Sequence, residues 1–272
     1  MDTEIINMLN MTFPLPVHLQ KSKFLLMQLP VYFISDIHLM LNYDEQEKNR
    51  QEKLFQFMDS VAQSGGTLFI IGDLYDFYFE YKHVIPKVYF PLYQKLYSLK
   101  NTGVEIHFIT GNHDHWTMDF MNQTLSTKVY FDDVSLEIHG KRFYMTHGDG
   151  ILSWDRGYRL LKAVIRNKLF IWLYRWIHPT IGYGIANAIS KRGRHYEHSR
   201  EYNEKVLKEL RIFTETIAAD GHDYVLTGHY HQACIENVNG GKLVVLGDWL
   251  QYFSYAVFDG NDIELKFWEE NA

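Results

Sequence analysis

Short apolar runs alternate with longer charged stretches along the first half of the chain. Val31–Ser35, Thr67–Ile71 and Val104–Ile109 are dominated by β-branched, aromatic and aliphatic residues. Runs of this length predict strands, and their near-continuous apolar character predicts burial on both faces. Between them, Glu45–Gln63 and Lys87–Lys100 set apolar residues on a charged background, which predicts helices. This strand–helix–strand rhythm predicts a layered α/β fold. Further on, Val134–Ile138 and Arg142–Thr146 flank His139-Gly140-Lys141 as a hairpin. Glu201–Ala219 is another charged helix and Asp223–Thr227 another strand. From Cys234 onward, short alternating runs turn at Gly240-Gly241 and at Asp259-Gly260-Asn261, which predicts late hairpins. Residues 1–30, with Pro14, Pro16 and Pro30, predict an irregular extension, leaving 31–272 as the folded domain.

Composition narrows the class. A chain of 272 residues with 46% hydrophobic content has enough apolar material for a large core. Its net charge of −6 carries no whole-chain signature of nucleic-acid binding. A single cysteine, Cys234, excludes an internal disulfide framework and suits a reducing compartment. The first thirty residues hold Asp2 and Glu4 and no long apolar block, which predicts neither a secretory signal nor a spanning helix.

Five polar clusters share one placement. Asp36-Ile37-His38 follows the first strand, Gly72-Asp73 the second and Gly111-Asn112-His113-Asp114 the third. His147-Gly148-Asp149 follows the hairpin, and Gly228-His229-Tyr230-His231 follows the late strand. The carboxyl ends of strands form the ligand crevice of open α/β sheets, so donors from five strand ends can converge there. In extended backbone, residues two apart face the same side, which predicts that Asp36 with His38, and His229 with His231, aim at one point. Donors of the Asp, Asn and His type without thiolate suit Mn, Fe, Zn or Mg without choosing among them. Alone, each cluster is an ordinary turn or a packed histidine; five in order, each after a buried strand, are hard to reach by chance.

These blocks, D-x-H, G-D, G-N-H-D, H-G and G-H-x-H, resemble the signature of the calcineurin-like metallophosphoesterases and span residues 36 to 231. The resemblance implies a four-layer αββα sandwich and two divalent metal ions. It implies Asp36, His38 and His231 as ligands of one ion, Asn112, His147 and His229 as ligands of the other, and Asp73 as the bridge. His113 matches the catalytic histidine and Asp114 the carboxylate that orients it. Attack by a metal-bridging hydroxide on phosphorus, with charge stabilised by the metals and His113, is the implied chemistry.

The segment of about 151–198 bears on the substrate. From Arg156 to Arg194 it holds nine Lys or Arg and no Asp or Glu. Leu160, Leu161, Val164, Ile165, Leu169, Trp172, Leu173 and Trp176 recur at helical spacing. A solvated basic surface explains part of this, but a basic, aromatic, amphipathic segment also suits a membrane interface or an acyl slot. His147-Gly148-Asp149 followed by Asp155-Arg156-Gly157-Tyr158 resembles the UDP-2,3-diacylglucosamine pyrophosphohydrolases of lipid A synthesis. That likeness implies a helical cap insert over the site, manganese as the metal, and work at the cytoplasmic face of the inner membrane as a peripheral protein. The implied products are UMP and 2,3-diacylglucosamine 1-phosphate. Asp155, Ser190 and Arg194, with Asn112, His113 and His229, are the implied substrate contacts. One departure stands out: many members of that subfamily read G-N-R-D where this chain has His113. Unlike Arg, His can transfer a proton as well as clamp charge. Two alternatives stay open at this point. One is a metallophosphoesterase for a nucleotide-type or phosphoprotein ester; the other is a non-catalytic membrane-associated scaffold. Neither a nucleic acid nor a protein partner is expected.

Overall fold

A computed structural model of the protein describes residues 27–125, 127–193 and 199–268. Two sheets carry the fold. The first has six strands in the order β11-β10-β1-β2-β3-β4, from β1 (Val31–Ile34), β2 (Thr67–Ile71), β3 (Glu105–Ile109), β4 (Lys128–Tyr130), β10 (Ser254–Phe258) and β11 (Ile263–Phe267). The second has five in the order β5-β6-β7-β9-β8, from β5 (Val134–Ile138), β6 (Lys141–Thr146), β7 (Tyr224–Thr227), β8 (Ala233–Val238) and β9 (Gly241–Leu246). β1 to β4 are parallel, as are β6, β7 and β9. Antiparallel hairpin partners form both edges of the second sheet and the β11 edge of the first.

Two-sided burial explains the unbroken apolar runs. Val31, Phe33, Phe69 and Ile71 meet Phe143, Met145, Leu226 and Val244 between the sheets. The alternate residues Ile34, Leu68 and Ile70 face the other way, onto α1 (Glu45–Ser64) and α2 (Phe90–Asn101) through Leu54, Phe57, Leu92 and Leu96. On the far side of the second sheet, Leu243 and Val245 pack on Val206 and Leu210 of α6 (Arg200–Ala219). The order is helix, sheet, sheet, helix, so the expected four layers are present. Asp44 caps α1 by accepting the Glu47 amide, and Gly65 ends it at φ 72°.

Most element boundaries fall within a residue or two of expectation. The Lys87–Lys100 helix opens as a 3₁₀ turn before Pro91 sets the first α turn. β4 was not expected, because three residues are too short to show a period. The hairpin turn at His139 and Gly140 has both residues at positive φ, the geometry a two-residue turn requires.

Between β6 and α6 lie α3 (Arg156–Ile165), α4 (Lys168–Tyr174) and α5 (Pro179–Gly193). Apolar residues on them and in the turn after α4 are exposed: Leu160 is 70%, Leu169 63% and Trp176 76% accessible. Among the described residues, no helix is long and apolar enough to cross a membrane.

Candidate metal centre

Parallel strands of both sheets end at one edge, and the five polar clusters meet there. Asp36, His38 and His231 bring one donor atom each within 4.8 Å of one another, as do Asp73, His147 and His229. The local backbone differs from the strand alternation expected. Asp36, His38, His229 and His231 sit at φ of 53°, 47°, 69° and 51°, and Asp73 at 51°. These are left-handed conformations that cost non-glycine residues energy and persist where the surroundings fix them. Convergence therefore comes from turns just past the strands rather than from two extended residues sharing a face.

Each donor is aimed by a second contact. One Asp36 oxygen, Oδ2, accepts from the Ser35 hydroxyl (2.6 Å) and the His229 amide (2.8 Å). That leaves Oδ1 facing His38 Nε2 at 3.6 Å and His231 Nε2 at 3.8 Å. Asp73 Oδ1 accepts from the His113 amide (2.9 Å). Its Oδ2 lies 3.2 Å from His147 Nε2, 3.7 Å from His38 Nε2 and 3.9 Å from His113 Nε2, a central position between the two ligand groups. His147 donates through Nδ1 to the Ile71 carbonyl, which turns Nε2 inward, 3.0 Å from Asn112 Oδ1. His231 Nδ1 meets Asp248 Oδ2 at 3.0 Å. Close approach also needs absent side chains: a Cβ on Gly111 would collide with the Asp73 carboxylate, and one on Gly72 with the His147 ring.

One expected contact is not made. Asp114 does not reach His113 by a hydrogen bond. Both its oxygens accept backbone amides, Gly111 and Leu74 at 2.7 Å each, so it ties two ligand-bearing turns together. Burial, reinforced by the Asp73 charge, pushes its carboxyl up to about 7. The Asp76 carbonyl orients His113 instead, through Nδ1. Asp155 caps α3, its Oδ1 accepting the Tyr158 amide at 3.1 Å. Ser190 falls on α5, but its side chain, like the whole of Arg194, lies outside the described residues.

Sequence reasoning missed three supports. Asp248 follows Gly247 at the end of β9, the same strand-then-G-D pattern as Gly72-Asp73, so the signal was there to use. Buried Arg50 donates to the carbonyls of Ile37, His38 (2.8 Å) and Trp249 (3.3 Å) and pairs with Glu47 at 2.6 Å. Asp76 joins His38 and His113 in a third donor group. Neither Arg50 nor Asp76 sits in a distinctive motif.

With this geometry in view, the family model for calcineurin-like phosphoesterases matches residues 29–233. The chain belongs to the calcineurin-like phosphoesterase family. A UDP-2,3-diacylglucosamine hydrolase of Porphyromonas gingivalis is 30% identical over 260 residues, covering 90% of this chain and 99% of the relative. Proteins of that name from Haemophilus ducreyi and Neisseria meningitidis serogroup B are 25% and 27% identical, over 80% and 85% of this chain and 91% and 95% of theirs. The protein is a metal-dependent phosphoesterase.

The site of this phosphoesterase fits the divalent ions its family implies. Asp36 Oδ1 and His38 Nε2 are buried without a hydrogen-bond partner among the described residues, although they face each other. In their neutral form the His147 and His231 nitrogens that face carboxylates carry lone pairs, because their other ring nitrogens donate to a carbonyl and a carboxylate. Lone pairs aimed at lone pairs need a cation or a proton between them. The carboxylates draw protons in the same way. Burial opposes the His147 imidazolium, yet Asp73 and Asp36 raise it to about 10.

Proposed function

We propose that the protein hydrolyses the diphosphate of UDP-2,3-diacylglucosamine, releasing UMP and 2,3-diacylglucosamine 1-phosphate. The observation that carries this reading is the end-to-end similarity to a hydrolase of that name, over 90% of one chain and 99% of the other. The exposed apolar face of α3–α5 agrees with it. Leu160, Leu161, Leu169, Trp172, Leu173 and Trp176 offer more apolar surface than a monomer usually leaves uncovered, and acyl chains would bury it. In this reading residues of about 151–198 form a cap insert on the 31–272 domain, with 1–30 as an extension. The protein then works as a peripheral protein on the cytoplasmic face of the inner membrane.

Asp36, His38 and His231 would hold one divalent cation, Asn112, His147 and His229 the other, with Asp73 between them. We take manganese as the native metal. Bound cations would supply Lewis acidity toward the phosphoryl oxygens and lower the pKa of water. The protein's own part is positional. His113 keeps its proton on Nδ1, against the Asp76 carbonyl, and turns Nε2 to the site. Burial disfavours its charged form, but Asp73 and the Asp76 carbonyl outweigh burial and raise its pKa. A protonated Nε2 can bind phosphoryl charge and can protonate the leaving oxygen. Asp155, Ser190 and Arg194 remain the proposed sugar and phosphate contacts from the cap side.

The test compares UDP-2,3-diacylglucosamine with UDP-N-acetylglucosamine, which lacks the long acyl chains. The acylated substrate should show kcat/KM at least about 100-fold higher, since each buried CH₂ contributes about 0.8 kcal/mol. Equal turnover of the two would favour a phosphoesterase for soluble esters and sink the lipid reading.

A further inference from the structure

The nine cations between Arg156 and Arg194 do not all face solvent. Lys162 and Arg166 turn inward from α3, with side chains only 26% and 21% accessible. Both meet one atom, Oδ2 of Asp149, at 2.9 and 3.1 Å, and the Tyr158 hydroxyl joins them at 3.2 Å. Lys162 also donates to the Asp149 carbonyl at 2.5 Å. Asp149 is 8% exposed and lies two residues past His147, so the group adjoins the metal centre. Tyr158 makes the join, its ring lying 5.6 Å from that of His229.

Two full cations share one carboxylate oxygen. Asp133 also senses Lys162 and accepts the Tyr144 hydroxyl at 2.7 Å, but among the described residues it forms no ion pair with either cation. Within the described residues, Arg166 Nε is buried and has no hydrogen-bond partner. A buried guanidinium N–H without an acceptor is costly, and a phosphate oxygen is the acceptor its fork fits best. Trp116 Nε1 donates to the Ile165 carbonyl at 2.9 Å, so the neighbouring turn of α3 is pinned to the segment that follows His113. The cations are thus held at a fixed place instead of waving from a loose helix.

We propose that Arg166 and Lys162, positioned by Asp149, form an anion subsite for the phosphoryl group adjacent to the one attacked. This rests on the hydrolase reading only in taking the substrate to be a diphosphate. A monoester would leave the subsite unused.

Binding of methylenebisphosphonate and of methylphosphonate to the metal-loaded full chain, by calorimetry at constant free manganese, tests this independently of the lipid. Arg166→Ala should weaken the bisphosphonate about 10- to 100-fold and methylphosphonate by less than about 3-fold, one charge-assisted contact being lost. Arg166→Lys, which keeps the charge but not the fork, should fall between. Arg156→Ala, an exposed cation of the same helix, should leave the preference for two phosphoryl groups intact. Asp149→Asn should also reduce that preference, and should raise KM for a diphosphate substrate more than it lowers kcat. Equal weakening of both probes by Arg166→Ala, or no weakening of either, overturns the subsite. If the wild type prefers the bisphosphonate and loses that preference with Arg166→Ala, yet leaves UDP-2,3-diacylglucosamine intact, the subsite stands and the lipid reading fails.

Discussion

Arg50→Lys is the sharpest probe of how the ligand loops are held. Arg50 is 7% exposed and its guanidinium serves Ile37, His38, Trp249 and Glu47 together. Those carbonyls belong to the loop that carries Asp36 and His38, and to the residue after Asp248, which holds His231. One side chain therefore braces all three donors of one metal group. Lysine keeps the charge, so Glu47 retains a counter-ion, but a single ammonium on a shorter reach cannot span both loops. At least two charge-assisted bonds to carbonyls are lost, each contributing roughly 1.5–3 kcal/mol. After relaxation and entry of water, a net loss of about 2–4 kcal/mol is expected. In a chain of this size that lowers Tm by roughly 5–12 °C. Metal affinity should fall about 10- to 100-fold, as when a ligand loses the group that orients it. Differential scanning calorimetry and manganese titration measure both. Unchanged Tm together with unchanged affinity would refute the bracing argument.

Other substitutions test other joints. Asp248→Asn should keep the caps on the Leu250, Gln251 and Tyr252 amides but present an N–H to His231 Nδ1. His231 would then carry its proton on Nε2, so manganese should bind roughly 10- to 100-fold more weakly by calorimetry; unaltered binding would count against Asp248 as the orienting group. Gly111→Ala sets a Cβ against the Asp73 carboxylate, so the purified variant should hold less than the full metal complement by elemental analysis, whereas full loading would mean that the close packing there is dispensable. His107 is fully buried, and burial, with Lys128 beside it, lowers its pKa to about 4. Its unfolded value near 6.5 is higher, so the unfolded chain binds the extra proton between pH 6.5 and 4 and stability falls as pH drops through that window. His107→Gln should flatten the urea-derived stability profile there by roughly 3 kcal/mol, and an unchanged slope would contradict it.

Much of this site could be read from the sequence, and the reasons are local. A ligand at a strand end is announced by an apolar run that stops at Gly, Asp, Asn or His. That pattern marks Asp36, Asp73, Asn112, His147 and His229. How those residues converge was less legible, because left-handed backbone at Asp36 and His38 is dictated by neighbours such as Arg50, not by their own identity. Asp114 shows the same limit. Adjacent in sequence to His113, it turns its carboxylate to the amides of Gly111 and Leu74, and a backbone carbonyl from another loop takes over the role expected of it. The basic, aromatic segment was plain as composition, yet the split between inward Lys162 and Arg166 and the outward apolar stripe needed the helix to be placed against Asp149.

Phosphorus NMR of the purified, manganese-loaded full chain with UDP-2,3-diacylglucosamine tests the central claim most directly. The diphosphate signals should give way to two monoester signals, from UMP and 2,3-diacylglucosamine 1-phosphate, and chelation of the metal or Asp73→Asn should prevent it. Persistence of the diphosphate signals, in protein that binds two equivalents of metal and cleaves bis(p-nitrophenyl) phosphate, would contradict the assignment.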